Sequence, residues 1–221
     1  MTRARGSALV VRLLITGAAL TLWFWTQSLI AKHALPASGV GDQLQIWTAP
    51  VNAYLYEQQQ AANVLLILSS AIIDLVGIFL LARWIFGPSV RPFLGLLLVL
   101  GLRQLMQALV ALPTPENMIW HKPGFPSLLV TYGVANDYYF SGHTAIAVLG
   151  ATELARLGRP WVTGLAVLMV VFEVTTVLVL RAHYTMDVFT GAIAALYVAS
   201  VTGRIAPTID RVLGDVKGTL K

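Results

Sequence analysis

Two short stretches of the sequence carry side chains suited to chemistry: Ser141-Gly142-His143-Thr144 and His183-Tyr184-Thr185-Met186-Asp187. An imidazole serves near neutral pH as nucleophile or as general acid and base. Asp187 follows His183 by four residues, one helical turn, so a helix there sets both on one face. A carboxylate in that place holds the Nδ1–H and leaves Nε2 free to attack. The same spacing also fits a satisfied polar pair or two metal ligands. No further His or carboxylate lies near enough in sequence to complete a coordination shell. Two histidines on one side, one after Ser-Gly and one before an i+4 Asp, favour the catalytic reading.

The elements that must position them are apolar. Of 221 residues, 57% are hydrophobic and 11% charged, and the mean hydropathy is +0.75. Soluble domains carry about 25% charged residues, so lipid is the expected solvent for much of this surface. The length suits a single domain, 1–221, and there is no cysteine for disulfide, thiolate or zinc chemistry. A net charge of +5 does not point to nucleic acid, because the Arg and Lys are spread between apolar stretches rather than gathered in one patch.

A crossing helix needs about 20 mostly apolar residues. Candidate spans lie near 8–31, 62–86, 93–112, 142–157, 161–180 and 184–205, which predicts an all-α polytopic membrane protein of about six helices. The fourth is short and the third carries Arg103. The first reads as a retained anchor rather than a cleaved signal: the run reaches Ala31, and Leu35-Pro36-Ala37 makes a poor cleavage site. Arg3, Arg5, Arg83, Arg91, Arg156, Arg159, Arg204, Arg211, Lys217 and Lys221 fall on one side, and Lys32, Lys122 and Arg181 on the other. The bias predicts cytoplasmic termini. Trp47, Tyr54, Tyr56 and Trp120 suit an interfacial belt on the far side. Two crossings separate His143 from His183, so both arrive on that far face, at one membrane depth.

At these residues the chain resembles the type 2 phosphatidic acid phosphatase superfamily, and within it the sphingomyelin synthase-related branch. Asp137-Tyr138-Tyr139-Phe140-Ser141-Gly142-His143-Thr144 looks like that branch's third motif and His183-Tyr184-Thr185-Met186-Asp187-Val188 like its fourth. Arg103 followed by Leu112-Pro113-Thr114-Pro115 looks like its second. The resemblance covers about Arg103 to Val188 and implies a helical bundle of the phosphatase type. It implies that His183 attacks a lipid phosphorus to form a phosphohistidine, that Asp187 supports it and that His143 moves the proton, with no metal and no cofactor.

The chain also departs from the superfamily. Its phosphatases carry an Arg six residues before the nucleophile, where this chain has Val177, and a Lys-containing first motif that is absent near Arg103. Fewer cations suit a phosphodiester monoanion better than a phosphomonoester dianion, while Arg181 is placed to replace the missing Arg in part. Arg103 either faces the phosphate oxygens or pairs with Asp74. Asp137, Ser141 and Thr144 are candidates for phosphate or headgroup contacts. Glu153 and Glu173, deep in their spans, either bind a cationic headgroup, pair with Arg103 or are simply protonated.

The implied function is a membrane lipid phosphotransferase moving phosphocholine or phosphoethanolamine from a phospholipid donor to diacylglycerol or ceramide. The alternative is a hydrolase with water as acceptor, either a lipid phosphatase or a phospholipase C-type enzyme. A scaffold that lost the chemistry fits poorly with an intact trio. The compact chain suggests a bacterial inner-membrane protein with its site facing the periplasm.

Overall fold

The computed structural model describes residues 39–219 apart from 131 and 133–137, together with Ala18, Thr21 and Trp25, with side chains as far as 212. The expected first span at 8–31 and the candidate Asp137 therefore lie outside the described residues. By its contacts the chain divides into Met1–Gly41 and Asp42–Lys221, and the second unit holds both histidine motifs.

Among the described residues there are seven helices and no strand. They are α1 (Gln43–Trp47), α2 (Ala49–Glu57), α3 (Gln59–Ile85), α4 (Arg91–Leu109), α5 (Gly142–Ala155), α6 (Pro160–Val179) and α7 (Thr185–Thr219). Local chemistry explains their starts. The Asp42 carboxylate caps α1 by accepting from the Leu44 and Gln45 amides, and Ser141 caps α5. Pro50, Pro92 and Pro160 sit in the first turns of α2, α4 and α6, where a missing N–H costs nothing.

Four of these helices are long and apolar enough to cross a membrane: α3, α4, α6 and the Thr185–Val212 part of α7. The expectation of about six spans is not met among the described residues. Part of the reason lies in the fourth. The stretch expected at 142–157 folds as α5, 14 residues long, and at 1.5 Å per residue that is roughly 21 Å, short of the ~30 Å hydrocarbon core.

α5 is instead the hub of the bundle, packed against α3, α4, α6 and α7. Nine of its residues, from His143 to Gly150 and Glu153, are buried. A helix enclosed on all sides needs no polar face, which is why its pattern reads as a span. The outside of the bundle is apolar, with Val64, Leu68 and Leu75 on α3, Leu165, Leu168 and Val171 on α6, and Phe189, Ile193 and Leu196 on α7 all exposed. The inside carries Ser69, Ser70, Glu153, Glu173, Thr176 and Thr202. Apolar side chains outward and polar ones inward is the arrangement expected when the solvent is lipid.

Candidate active site

The start of α5 and the start of α7 meet at one end of the bundle. The Ser141 amide donates to the Asp187 carbonyl at 3.1 Å, which ties the two motifs main chain to main chain. Gly191, one turn beyond Asp187 in α7, allows this approach: a Cβ there would stand 2.5 Å from the Ser141 carbonyl oxygen. Two residues with positive φ flank the histidines, Phe140 at 74° and Arg181 at 53°. Phe140 is almost fully buried in the core, and such packing holds the strained backbone in place.

His183 is 6% exposed and His143 7% exposed. The His183 Nδ1 lies 2.8 Å from the Tyr138 carbonyl oxygen and 3.8 Å from Asp187 Oδ2. A carbonyl only accepts, so Nδ1 carries the proton and the neutral ring's Nε2 is bare. The Asp187 carboxylate, fully buried, accepts from the Tyr184 amide through Oδ2 at 2.9 Å. Its Oδ1 has no hydrogen-bond partner. The hydrogen bond expected from Asp187 to the imidazole is thus made by Tyr138, and Asp187 stands behind it as a charge.

His143 Nε2 is likewise buried without a hydrogen-bond partner. Its ring meets Trp120 edge to face at 5.1 Å. His183 and Arg103 are both near enough for their charges to act on it. Arg103 lies along the start of α5: a Cβ on Gly142 would be 2.9 Å from its Nε. Gly142 therefore makes room for the guanidinium beside His143. The Asp74 carboxylate is engaged elsewhere, accepting from the Leu128 and Leu129 amides at 2.7 and 2.8 Å.

The remaining candidates have structural partners. Ser141 Oγ accepts from the Thr144 amide at 3.4 Å and from its hydroxyl at 3.0 Å, so both hydroxyls serve the cap of α5. Arg181 donates to the Glu116 carbonyl at 2.8 Å and to the Gln45 carbonyl at 3.3 Å. Its guanidinium fastens the chain around the site rather than standing in place of the absent Arg at 177. Among the described residues, no three His, Cys, Asp or Glu side chains gather to hold a metal ion.

Several residues that position His183 carry no signal in the sequence. Asp42 accepts from the Thr185 amide at 2.6 Å and its hydroxyl at 2.7 Å. Gln45 donates to the His183 carbonyl at 3.4 Å, and Asn52 to the Val179 carbonyl at 2.9 Å. α1 and α2 thus grip the turn between α6 and α7. The Leu-Pro-x-Pro stretch joins in: the Tyr184 hydroxyl donates to the Pro113 carbonyl at 3.1 Å, and the Thr114 hydroxyl to the Tyr138 hydroxyl at 3.1 Å.

Comparison with known proteins bears on what such a site serves. A family model described as AtPDCT1/2 matches residues 42–204, from the first clamp residue to beyond the second histidine motif. Phosphatidylcholine:diacylglycerol cholinephosphotransferase 1 of Arabidopsis thaliana is 22% identical over 157 residues, which are 71% of this chain and 51% of that protein. The chain thus spans about half the length of this curated relative. No solved structure matches. The family match takes in well over half of the sequence and every described residue of the site, and the chain belongs to the AtPDCT1/2 family.

Proposed function

We propose that this membrane protein moves phosphocholine from phosphatidylcholine to diacylglycerol through a phosphohistidine at His183. The observation that carries the reading is the Tyr138 carbonyl on His183 Nδ1, which leaves Nε2 as the attacking atom. The activity named for the Arabidopsis relative suggests the substrates. The likeness of the motifs to the sphingomyelin synthase-related branch agrees with both.

In the first half-reaction the bound phosphate's negative charge lets His143 take up a proton, His183 Nε2 attacks phosphorus, the bond to the diacylglycerol oxygen breaks, and His143 gives that oxygen the proton. Asp187 offsets the positive charge that grows on the His183 ring. In the second half-reaction an acceptor hydroxyl attacks the phosphorus, His143 takes its proton, and the P–N bond breaks. Arg103, beside Gly142, faces the equatorial phosphate oxygens. A phosphodiester is broken and a phosphodiester of the same kind is made, so the exchange runs both ways and follows the lipid pools. Val177 in place of the phosphatases' Arg, and the missing Lys-containing first motif, suit a monoanionic diester.

The test uses phosphatidylcholine labelled in its headgroup and diacylglycerol with distinguishable acyl chains. Label should appear in phosphatidylcholine bearing the acceptor's chains, and His183→Ala should abolish it. Ceramide and water are the competing acceptors. Label passing only to water, with no effect of diacylglycerol, would replace the transferase by a phospholipase C-type hydrolase.

A further inference from the structure

A trimethylammonium group carries a charge but no N–H, so proteins recognise it with aromatic faces and carboxylates rather than hydrogen-bond acceptors. The bundle buries two glutamates, and they differ. Glu153 is met by Arg91 through two bonds, at 2.8 and 2.9 Å, with Arg156 at 3.5 Å. Glu173 is fully buried and accepts from the Ser69 hydroxyl at 2.6 Å through Oε2, while its Oε1 has no hydrogen-bond partner. A carboxylate oxygen left so is costly, and an organic cation beside it offsets that cost without needing a donor.

A chain of contacts through aromatic rings runs from His143 toward the Ser69–Glu173 pair. Trp120, whose ring meets His143 at 5.1 Å, packs on Tyr132 with centroids 5.1 Å apart and planes tilted by 38°. The Tyr132 and Ser70 hydroxyls share a hydrogen bond at 2.5 Å, and Ser70 adjoins the Ser69 that holds Glu173. Burial pushes the Tyr132 phenol above its usual range, so it stays neutral. Trp120 also packs against the cluster of Val177, Leu178, Ala182 and Val188, and Val177 lies one turn after Glu173. Tyr132 also lines a cavity of about 570 Å³ together with Lys122, Phe125 and Val130.

We infer that Trp120, Tyr132 and Glu173 form the subsite for the quaternary ammonium of the phosphocholine headgroup. The inference rests on the phosphocholine-transfer reading and adds to it where the cationic end is held. With the phosphorus at His183, the ammonium extends past Trp120 toward Glu173. A primary ammonium keeps its hydrogen bonds to a carboxylate whether or not the rings are present, so the rings are what favour choline over ethanolamine.

The experiment compares phosphatidylcholine and phosphatidylethanolamine as donors for the full chain and for Trp120→Leu, Trp120→Phe and Glu173→Gln. Trp120→Leu should lower kcat/KM on phosphatidylcholine about tenfold more than on phosphatidylethanolamine, and Trp120→Phe should restore most of the difference. Glu173→Gln, nearly isosteric and still able to accept from Ser69, should raise KM about tenfold for both donors. Calorimetric titration with free phosphocholine, choline and inorganic phosphate supplies a readout independent of turnover. Phosphocholine should bind more tightly than either fragment and lose about tenfold in Glu173→Gln. An unchanged donor ratio in Trp120→Leu, or unchanged donor KM and phosphocholine binding in Glu173→Gln, overturns the subsite. Wild-type protein that binds phosphocholine through Glu173 but transfers from neither donor keeps the subsite and sinks the transferase reading instead.

Discussion

The Nδ1 proton of His183 is given to the main-chain carbonyl of Tyr138, 2.8 Å away, and Asp187 stands 3.8 Å from the same nitrogen. The tautomer of the proposed nucleophile is therefore set by the backbone of the segment leading to the other histidine. Its electrostatic support comes from a separate group. In a serine protease triad one Asp does both jobs, and replacing it with Asn costs about 10⁴ in kcat because the wrong tautomer results.

The division of labour predicts a milder outcome here. Asp187→Asn should lower kcat by about one to two orders of magnitude, since the charge is lost but Tyr138 still fixes the tautomer. Asp187→Ala should cost more and also destabilise the start of α7, because the Tyr184 amide loses its acceptor. His183→Ala should remove turnover altogether. Steady-state rates for the three variants decide it, and a 10⁴-fold loss in Asp187→Asn would return the tautomer to Asp187.

Asp42 tests whether the outer helices set the site. Its carboxylate joins the α1 cap to the Thr185 amide and hydroxyl, and hydrogen bonds to a charged group contribute about 1.5–3 kcal/mol each. Asp42→Ala should destabilise the fold by about 2–4 kcal/mol in all, the other hydrogen bonds around the turn limiting the loss. At temperatures where the protein stays folded, kcat should fall with little change in KM, because the clamp touches the His183 turn and not the lipid. A proportionate rise in KM would place Asp42 in the substrate path instead.

Some of this was legible in the sequence and some was not, for physical reasons. His183 and Asp187 are four residues apart, and although His183 precedes α7, which begins at Thr185, the turn into the helix keeps them within 3.8 Å. The long runs of α3, α6 and α7 show their solvent directly in composition. α5 misled because a helix buried on every side and a helix bathed in lipid both lack a polar face. Only its length of 14 residues separates the two. The Tyr138 carbonyl and the Asp42 clamp left no trace because main-chain acceptors have no residue type, and Asp42 meets Thr185 across 143 positions. Arg181 shows its charge in the sequence but not the Glu116 and Gln45 carbonyls to which it donates.

Glu153 illustrates a buried acid with a structural use. It is 2% exposed and doubly bonded by Arg91, at the end of α5 away from the histidines. Removing Glu153 leaves the part-exposed Arg91 without its partner, so the cost should lie below the ~3–5 kcal/mol of a wholly buried pair. Glu153→Ala should lower the thermal midpoint sharply, while the donor preference of the folded fraction stays that of the wild type. A change in donor preference without loss of stability would give Glu153 a part in headgroup binding.

The last prediction concerns Gly142, which the sequence marks only as the middle of Ser-Gly-His. A Cβ there would stand 2.9 Å from the Arg103 Nε and 3.2 Å from its Cδ. The obstacle is a long side chain rather than backbone, so Gly142→Ala should fold, with Arg103 pushed aside. If Arg103 faces the phosphate, losing that placement should cost about 10²-fold in kcat, near the loss from removing one stabilising donor in other enzymes. Arg103→Lys should fall in the same range, since a point charge does not reproduce the planar fork. The double variant should then be no worse than either single one, because both remove the same interaction. Gly191→Ala is the contrast: its Cβ would meet the Ser141 carbonyl oxygen at 2.5 Å, backbone that cannot swing away, so stability should suffer first. Rates that multiply in the Gly142 and Arg103 double variant would show two independent effects and remove Arg103 from the phosphate.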